Sequence, residues 1–316
     1  MKSIAIVGAS SQIAKDLIRF MALDSAYQLL LFVRDTASMD AWLQEVGLAE
    51  RCSVLVYSQY ADNPHDAVLN FVGVGDPARA ALMGADILDI TSEFDSLILS
   101  ELKKNPLRRY IYLSSGAVYG DSFSSPVGAN SVATYPVNSM AAQNYYAIAK
   151  LHAEVRHRSL TRLAIIDVRV FNYFSRYQSL NSRFMIADAL NSIKTNTVLQ
   201  TSPDGMSRDF LHPEDFYQLI TCLLAAPAQN TVVDCYSAAP IEKFALLDAM
   251  SELFGLRYEE IPGLTVAVNA TGIKTHYYST NRKAAEFGYL PRYSSLDTIR
   301  LEASALLEAN SHGVGL

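Results

Sequence analysis

The chain has 316 residues, half of them hydrophobic and 18% charged, with 15 Gly and 11 Pro, which excludes disordered, collagen-like and coiled-coil classes. Its 26 basic and 32 acidic residues leave a formal charge of −6 and form no long run of one sign, so a nucleic-acid-binding surface is disfavoured. No apolar stretch approaches the ~18 residues a membrane span needs, and the sparse cysteines Cys52, Cys222 and Cys235 fit a reducing cytoplasm and offer no thiolate metal site.

In chain order, the start MKSIAIVGAS reads as a strand and not as a signal peptide, because its short apolar run is broken by Gly8. Strands are predicted at Ile4–Val7, Leu29–Val33, Ser53–Val56, Ala67–Val72, Tyr110–Leu113 and Ala164–Val170. These runs are short, rich in Ile, Leu and Val, and lack polar alternation, as expected where both sheet faces are covered. Helical patterns at Gln12–Leu23, Ala85–Lys103 and Ala142–Arg158 lie between them. The alternation predicts an α/β fold with a doubly wound parallel sheet. Beyond Asn172 the rhythm loosens into helices at Phe184–Ile193, Pro213–Ala225, Ile241–Phe254 and Leu296–Ala309, with short strands near Val198, Val232 and Tyr258. The expected organisation is a dinucleotide-binding domain over residues 1–172 and a smaller, mostly helical substrate lobe over 173–316, interleaved with the end of the sheet.

The run IAIVGASSQIAKDLIRFM is a strand, a tight turn and an amphipathic helix. Gly8 supplies backbone freedom, Ser10 or Ser11 a helix cap, and the small residues let backbone N–H groups approach a pyrophosphate. The usual second and third glycines of such a fingerprint are here Ser11 and Ala14, so the turn alone also fits an ordinary strand–helix connection. About 20 residues further on, at the end of the second strand, an acidic side chain would hold the adenosine ribose and an arginine would favour a 2′-phosphate. The chain offers both, Arg34 and Asp35; the arginine comes first and favours NADP(H) over NAD(H).

Tyr146 and Lys150, in NYYAIAK, share one helical face at i and i+4. An ammonium and a nicotinamide cation nearby would favour phenolate and lower the tyrosine pKa. Tyr-x-x-x-Lys is common by chance, but upstream stands RYIYLSSGAVYG, a strand ending in Ser114 and Ser115, and hydroxyls at a strand's carboxyl end face the ligand crevice of such sheets. RVFNYFS and SRDFLHPED follow downstream, and Arg208 in the latter suits a bidentate grip on a diphosphate. His152 and His157 lie about 140° apart on a helix and cannot chelate a metal from one face, so no metal is expected.

With VGASSQIA, LNFVG, LSSGAVYG, YAIAK, RVFN, RDFLHPED and FGYLP in this order, the chain resembles the extended short-chain dehydrogenase/reductases, especially their nucleotide-sugar epimerases, dehydratases and ketoreductases. The resemblance implies catalysis by Ser115, Tyr146 and Lys150. It puts the cofactor against Gly8, Ser10, Ser11, Gln12, Ile13, Arg34, Asp35, Phe71, Val72 and Gly73, with Tyr146 and Lys150 also touching it, and the sugar nucleotide on Asn172 and Arg208. It further implies a homodimer through the Ala85–Lys103 and Ala142–Arg158 helices. Dehydratases of the family carry an Asp-Glu pair where this chain has Gly116 and Ala117, which speaks against dehydration. The leading expectation is therefore reduction of a 4-keto-6-deoxy nucleotide sugar. The alternatives are a 4-epimerase and, from another class, a non-catalytic dinucleotide sensor.

Overall fold

The structure, a computed structural model, describes residues 1–73, 83–121, 123–181, 184–264 and 274–311. In chain order the strands are β1 Lys2–Val7, β2 Tyr27–Val33, β3 Cys52–Val56, β4 Ala67–Asn70, β5 Arg109–Ser115, β6 Ile165–Val170 and β7 Asn172–Tyr173. They continue as β8 Val198–Thr201, β9 Ser207–Arg208, β10 Phe210–Leu211, β11 Thr231–Asp234, β12 Ile241–Glu242, β13 Arg257–Glu260 and β14 His276–Tyr277.

Seven of them form one sheet in the order β11-β6-β5-β4-β1-β2-β3, and every pair is parallel. This is the doubly wound fold read from the sequence. The apolar runs of β1, β2, β4 and β6 are buried almost throughout because helices cover both faces. Helices Gln12–Met21, Thr36–Glu45 and Pro213–Ala225 pack on one face, with Leu17, Met39 and Phe216 in the same core. Helices Asp86–Leu102 and Ala142–Ser159 cover the other, through Ile98, Leu99 and Ala153.

The strand order reverses between β1 and β4, and the crevice of such a sheet opens there, at the carboxyl ends. The second half of the chain contributes β11 and the Pro213–Ala225 helix to the sheet. It otherwise forms a lobe whose core gathers Leu190, Leu246, Met250 and Ile299 from three further helices. Within that lobe the two-residue strand β9 lies between β12 and β14, with Tyr277 opposite Arg208.

Candidate active site

The turn after β1 passes so close to the end of β4 that only glycine fits. Gly8 has φ +78, and a Cβ there would lie 2.8 Å from the Val72 nitrogen and 2.9 Å from the Phe71 carbonyl carbon. Ser11 caps the next helix by accepting from the Ala14 N–H at 3.4 Å, which aims the helix N-terminus at this gap. A small-residue turn and a helix N-terminus over the switch point fit a dinucleotide pyrophosphate. Other members of the expected cofactor set serve the scaffold with their side chains. Gln12 donates to Asp16 at 2.9 Å, Ile13 packs on the core, and the Phe71 ring meets Phe216 edge-on. The Val72 N–H is taken by the Asn70 side chain at 2.9 Å.

At the outer end of the crevice Ser10, Lys15, Arg34, Asp35, Ser38 and Met39 line a pocket of about 120 Å³. Arg34 and Asp35 are thus brought together as expected, but their engagements differ. The Asp35 carboxylate caps the Thr36–Glu45 helix, accepting from the Ser38 N–H at 3.0 Å. Lys15 adds a second cation, its ammonium 4.9 Å from the Trp42 ring centroid, and burial together with Arg19 lowers its pKa.

Ser115 ends β5, and its Oγ accepts from the Ala117 N–H at 3.1 Å. Lys150 is buried; its ammonium donates to the Leu113 carbonyl at 2.7 Å and lies 3.4 Å from that of Val72. It also sits 4.5 Å above the Tyr112 ring. Burial pulls the Lys150 pKa down to about 8, with Glu154, Asp167 and Asp95 opposing. Tyr146 borders on Ser115. Burial raises its pKa, and the hydrogen bond with Ser115 only partly offsets this.

A buried polar chain holds this trio from behind. Ser114 donates to Glu154 at 2.6 Å, one helical turn beyond Lys150. Arg169 binds both Glu154 oxygens and the Tyr119 hydroxyl, and Tyr119 and Ser279 both donate to Asp234. Gly116 has no room for any side chain, since a Cβ would lie 2.3 Å from the Phe171 ring.

On the lobe side, the Asn172 amide donates to the carbonyls of Asp209 and Tyr277, each at 3.3 Å. Half-buried Arg208 donates to the backbone carbonyls of Ser207 and Lys274 at 2.8 Å and of Thr275 at 3.5 Å. Burial lowers its pKa to about 10. Lys274 is buried with its ammonium 4.7 Å from the Phe123 and Tyr277 ring centroids, and burial brings its pKa to about 8. Neither cation is paired with a carboxylate among the described residues. The Tyr277 hydroxyl reaches to 3.4 Å from Ser115 Oγ.

The profile of a family described as the NAD dependent epimerase/dehydratase family matches residues 4–238, from β1 past β11. The chain belongs to that family. Among curated proteins none matches it. Solved structures similar to this family member include a mutant UDP-glucuronic acid 4-epimerase from Bacillus cereus in complex with UDP-4-deoxy-4-fluoro-glucuronic acid and NAD. Its TM-score is 0.78 at 17% identity, covering 97% of this chain and 99% of that one. A UDP-glucose 4-epimerase from Thermotoga maritima with UDP-glucose gives TM-score 0.78 at 14% identity, over 98% of this chain and 99% of that one. A dTDP-glucose 4,6-dehydratase from Bacillus anthracis with NAD gives 0.78 at 15% identity, over 98% of each chain.

Four residues of this enzyme's crevice escaped the sequence reading: Lys15, Ser38, Lys274 and Tyr277. Lys15 had a signal, a basic residue in the first turn of the phosphate-turn helix. Tyr277 and Lys274 had none, because a two-residue strand carries no pattern.

Proposed function

We propose that the protein is an NADP(H)-dependent reductase of a 4-keto nucleotide sugar, of the 4-keto-6-deoxy kind, with Ser115, Tyr146 and Lys150 as its catalytic residues. The observation that carries the cofactor preference is the pocket between Ser10, Lys15, Arg34 and Ser38. Two cations and two hydroxyls converge there, while the acidic residue beside them is occupied as a helix cap. That set suits a 2′-phosphate better than a bare ribose.

Bound along the crevice, the nicotinamide cofactor supplies hydride chemistry. The chain's own part is proton transfer and orientation. Tyr146 donates its proton to the keto oxygen, and Lys150, four residues along the same helix, stabilises the phenolate left behind. A serine hydroxyl has one proton to give and two lone pairs. Ser115 accepts from the Ala117 N–H and keeps a proton that can turn to the keto oxygen. Arg208 and Lys274, which form no ion pair with a carboxylate among the described residues, support an anionic substrate and suit the diphosphate. The Phe171 ring at the Cβ position of Gly116 excludes an acid there, against dehydration. A dinucleotide sensor has no need of the trio. Pairing of two copies through Asp86–Leu102 and Ala142–Ser159 belongs to the same reading; these helices pack together and leave Val155 60% exposed.

Titration of the purified, nucleotide-free protein with NADPH and NADH, followed by nucleotide fluorescence, tests the proposal. NADPH should bind at least about tenfold more tightly, as one charge-assisted phosphate contact is worth roughly 1.5–3 kcal/mol. Equal or tighter binding of NADH overturns the preference.

A further inference from the structure

Tyr277 belongs to no recognised motif, yet its side chain enters the catalytic cluster from the opposite lobe. It is 6% exposed. Its ring packs edge-on against Phe123 at 4.9 Å and Phe171 at 5.3 Å. Its hydroxyl lies 3.4 Å from Ser115 Oγ, 162 residues away in sequence. The Lys274 ammonium and the more distant Arg208 guanidinium stand over the same ring, at 4.7 and 6.0 Å. Burial and the nearby Tyr146 raise its pKa and keep the phenol protonated, with a proton it can give.

Hydrogen-bond valence gives this contact a consequence. Ser115 Oγ already accepts from the Ala117 N–H. If Tyr277 donates to the remaining lone pair, both acceptor sites of the serine are filled. Its own proton is then the valence left to turn toward Tyr146 and the keto oxygen between them. Without Tyr277 the serine can accept from Tyr146 instead, which takes the phenol proton away from the substrate.

The backbone ties the same tyrosine to the substrate-binding residues. Tyr277 pairs with Arg208 across β14 and β9, and its carbonyl accepts from the Asn172 amide at 3.3 Å. Resting on the nucleotide-sugar reading, we infer that Tyr277 is a positioning residue that fixes Ser115 as a proton donor and couples the diphosphate-binding strand pair to the catalytic serine.

Tyr277→Phe tests this, because it keeps the ring among Phe123 and Phe171 and removes only the hydroxyl. Single-turnover hydride transfer would be followed in wild type, Tyr277→Phe, Ser115→Ala and the double variant, with a 4-keto-6-deoxy nucleotide sugar and saturating NADPH. Tyr277→Phe should lower kcat about tenfold with KM within a factor of two. In the Ser115→Ala background the same change should have almost no effect, since the residue it acts through is gone. A Tyr277→Phe enzyme indistinguishable from wild type would show that the ring alone matters and overturn the inference. Equal losses in both backgrounds would show a direct substrate contact and overturn it too. A wild type that binds NADPH but transfers no hydride to any nucleotide sugar would instead overturn the functional reading beneath it.

Discussion

Lys150→Met separates what the catalytic helix does for chemistry from what it does for stability. Burial holds the Lys150 ammonium at a pKa of about 8, against an ordinary value of 10.5. Near pH 7 the folded state therefore carries a charge that the unfolded chain holds more easily. At about 1.4 kcal/mol per tenfold in proton affinity, that costs the folded protein roughly 3 kcal/mol. Between the two pKa values the unfolded state binds more protons than the folded one, so stability rises with pH through that window. Near pH 9.5 the remaining cost is about 1.4 kcal/mol. Removing the ammonium also leaves the Leu113 carbonyl without its 2.7 Å donor, a loss of about 1 kcal/mol. The nucleotide-free variant should thus exceed wild type by about 2 kcal/mol near pH 7 and match it near pH 9.5, with turnover lost. Urea unfolding at the two pH values measures this. A variant less stable than wild type near pH 7, or a difference that stays constant with pH, refutes the reasoning.

Tyr146→Phe should lower turnover by about 10²–10⁴ while cofactor affinity stays within a few-fold, because only the proton-transfer group is removed; steady-state rates and a fluorescence titration check both halves. Arg34→Ala should weaken NADPH about tenfold and leave NADH unchanged, the exposed position putting it at the low end for a charge-assisted bond. Gly116→Ala forces a methyl into the Phe171 ring, 2.3 Å away, and overpacking of that kind costs about 1–3 kcal/mol. Thermal unfolding should show the loss, and an unchanged Tm would mean the ring yields freely.

Much of the sheet was legible because parallel strands covered on both faces leave unmistakable apolar runs. The predicted ends moved where side chains intervene. β4 stops at Asn70 because that residue's own amide captures the Val72 N–H, and β5 extends to Ser115 by pairing in register with Val170. The Thr36–Glu45 helix had no clear signal: Met39 and Leu43 are its only buried residues, and its cap, Asp35, reads equally well as a ribose ligand. The trio was legible since two of its members sit at i and i+4 and the third at a strand end. Its electrostatics were not. The Leu113 and Val72 carbonyls that hold the buried ammonium come beside it only in the fold. Tyr277 and Lys274 arrive through pairing of β14 with β9, a contact between short segments far apart in sequence.

Net reduction is decided most directly by mixing. Nucleotide-free enzyme would be combined with stoichiometric NADPH and a 4-keto-6-deoxy nucleotide sugar, with the nicotinamide absorbance and the sugar products followed together. A reductase should consume one NADPH per sugar reduced, and Tyr146→Phe should abolish this. Interconversion of two 4-epimers by enzyme that retains its cofactor, with no net NADPH consumed, would contradict it.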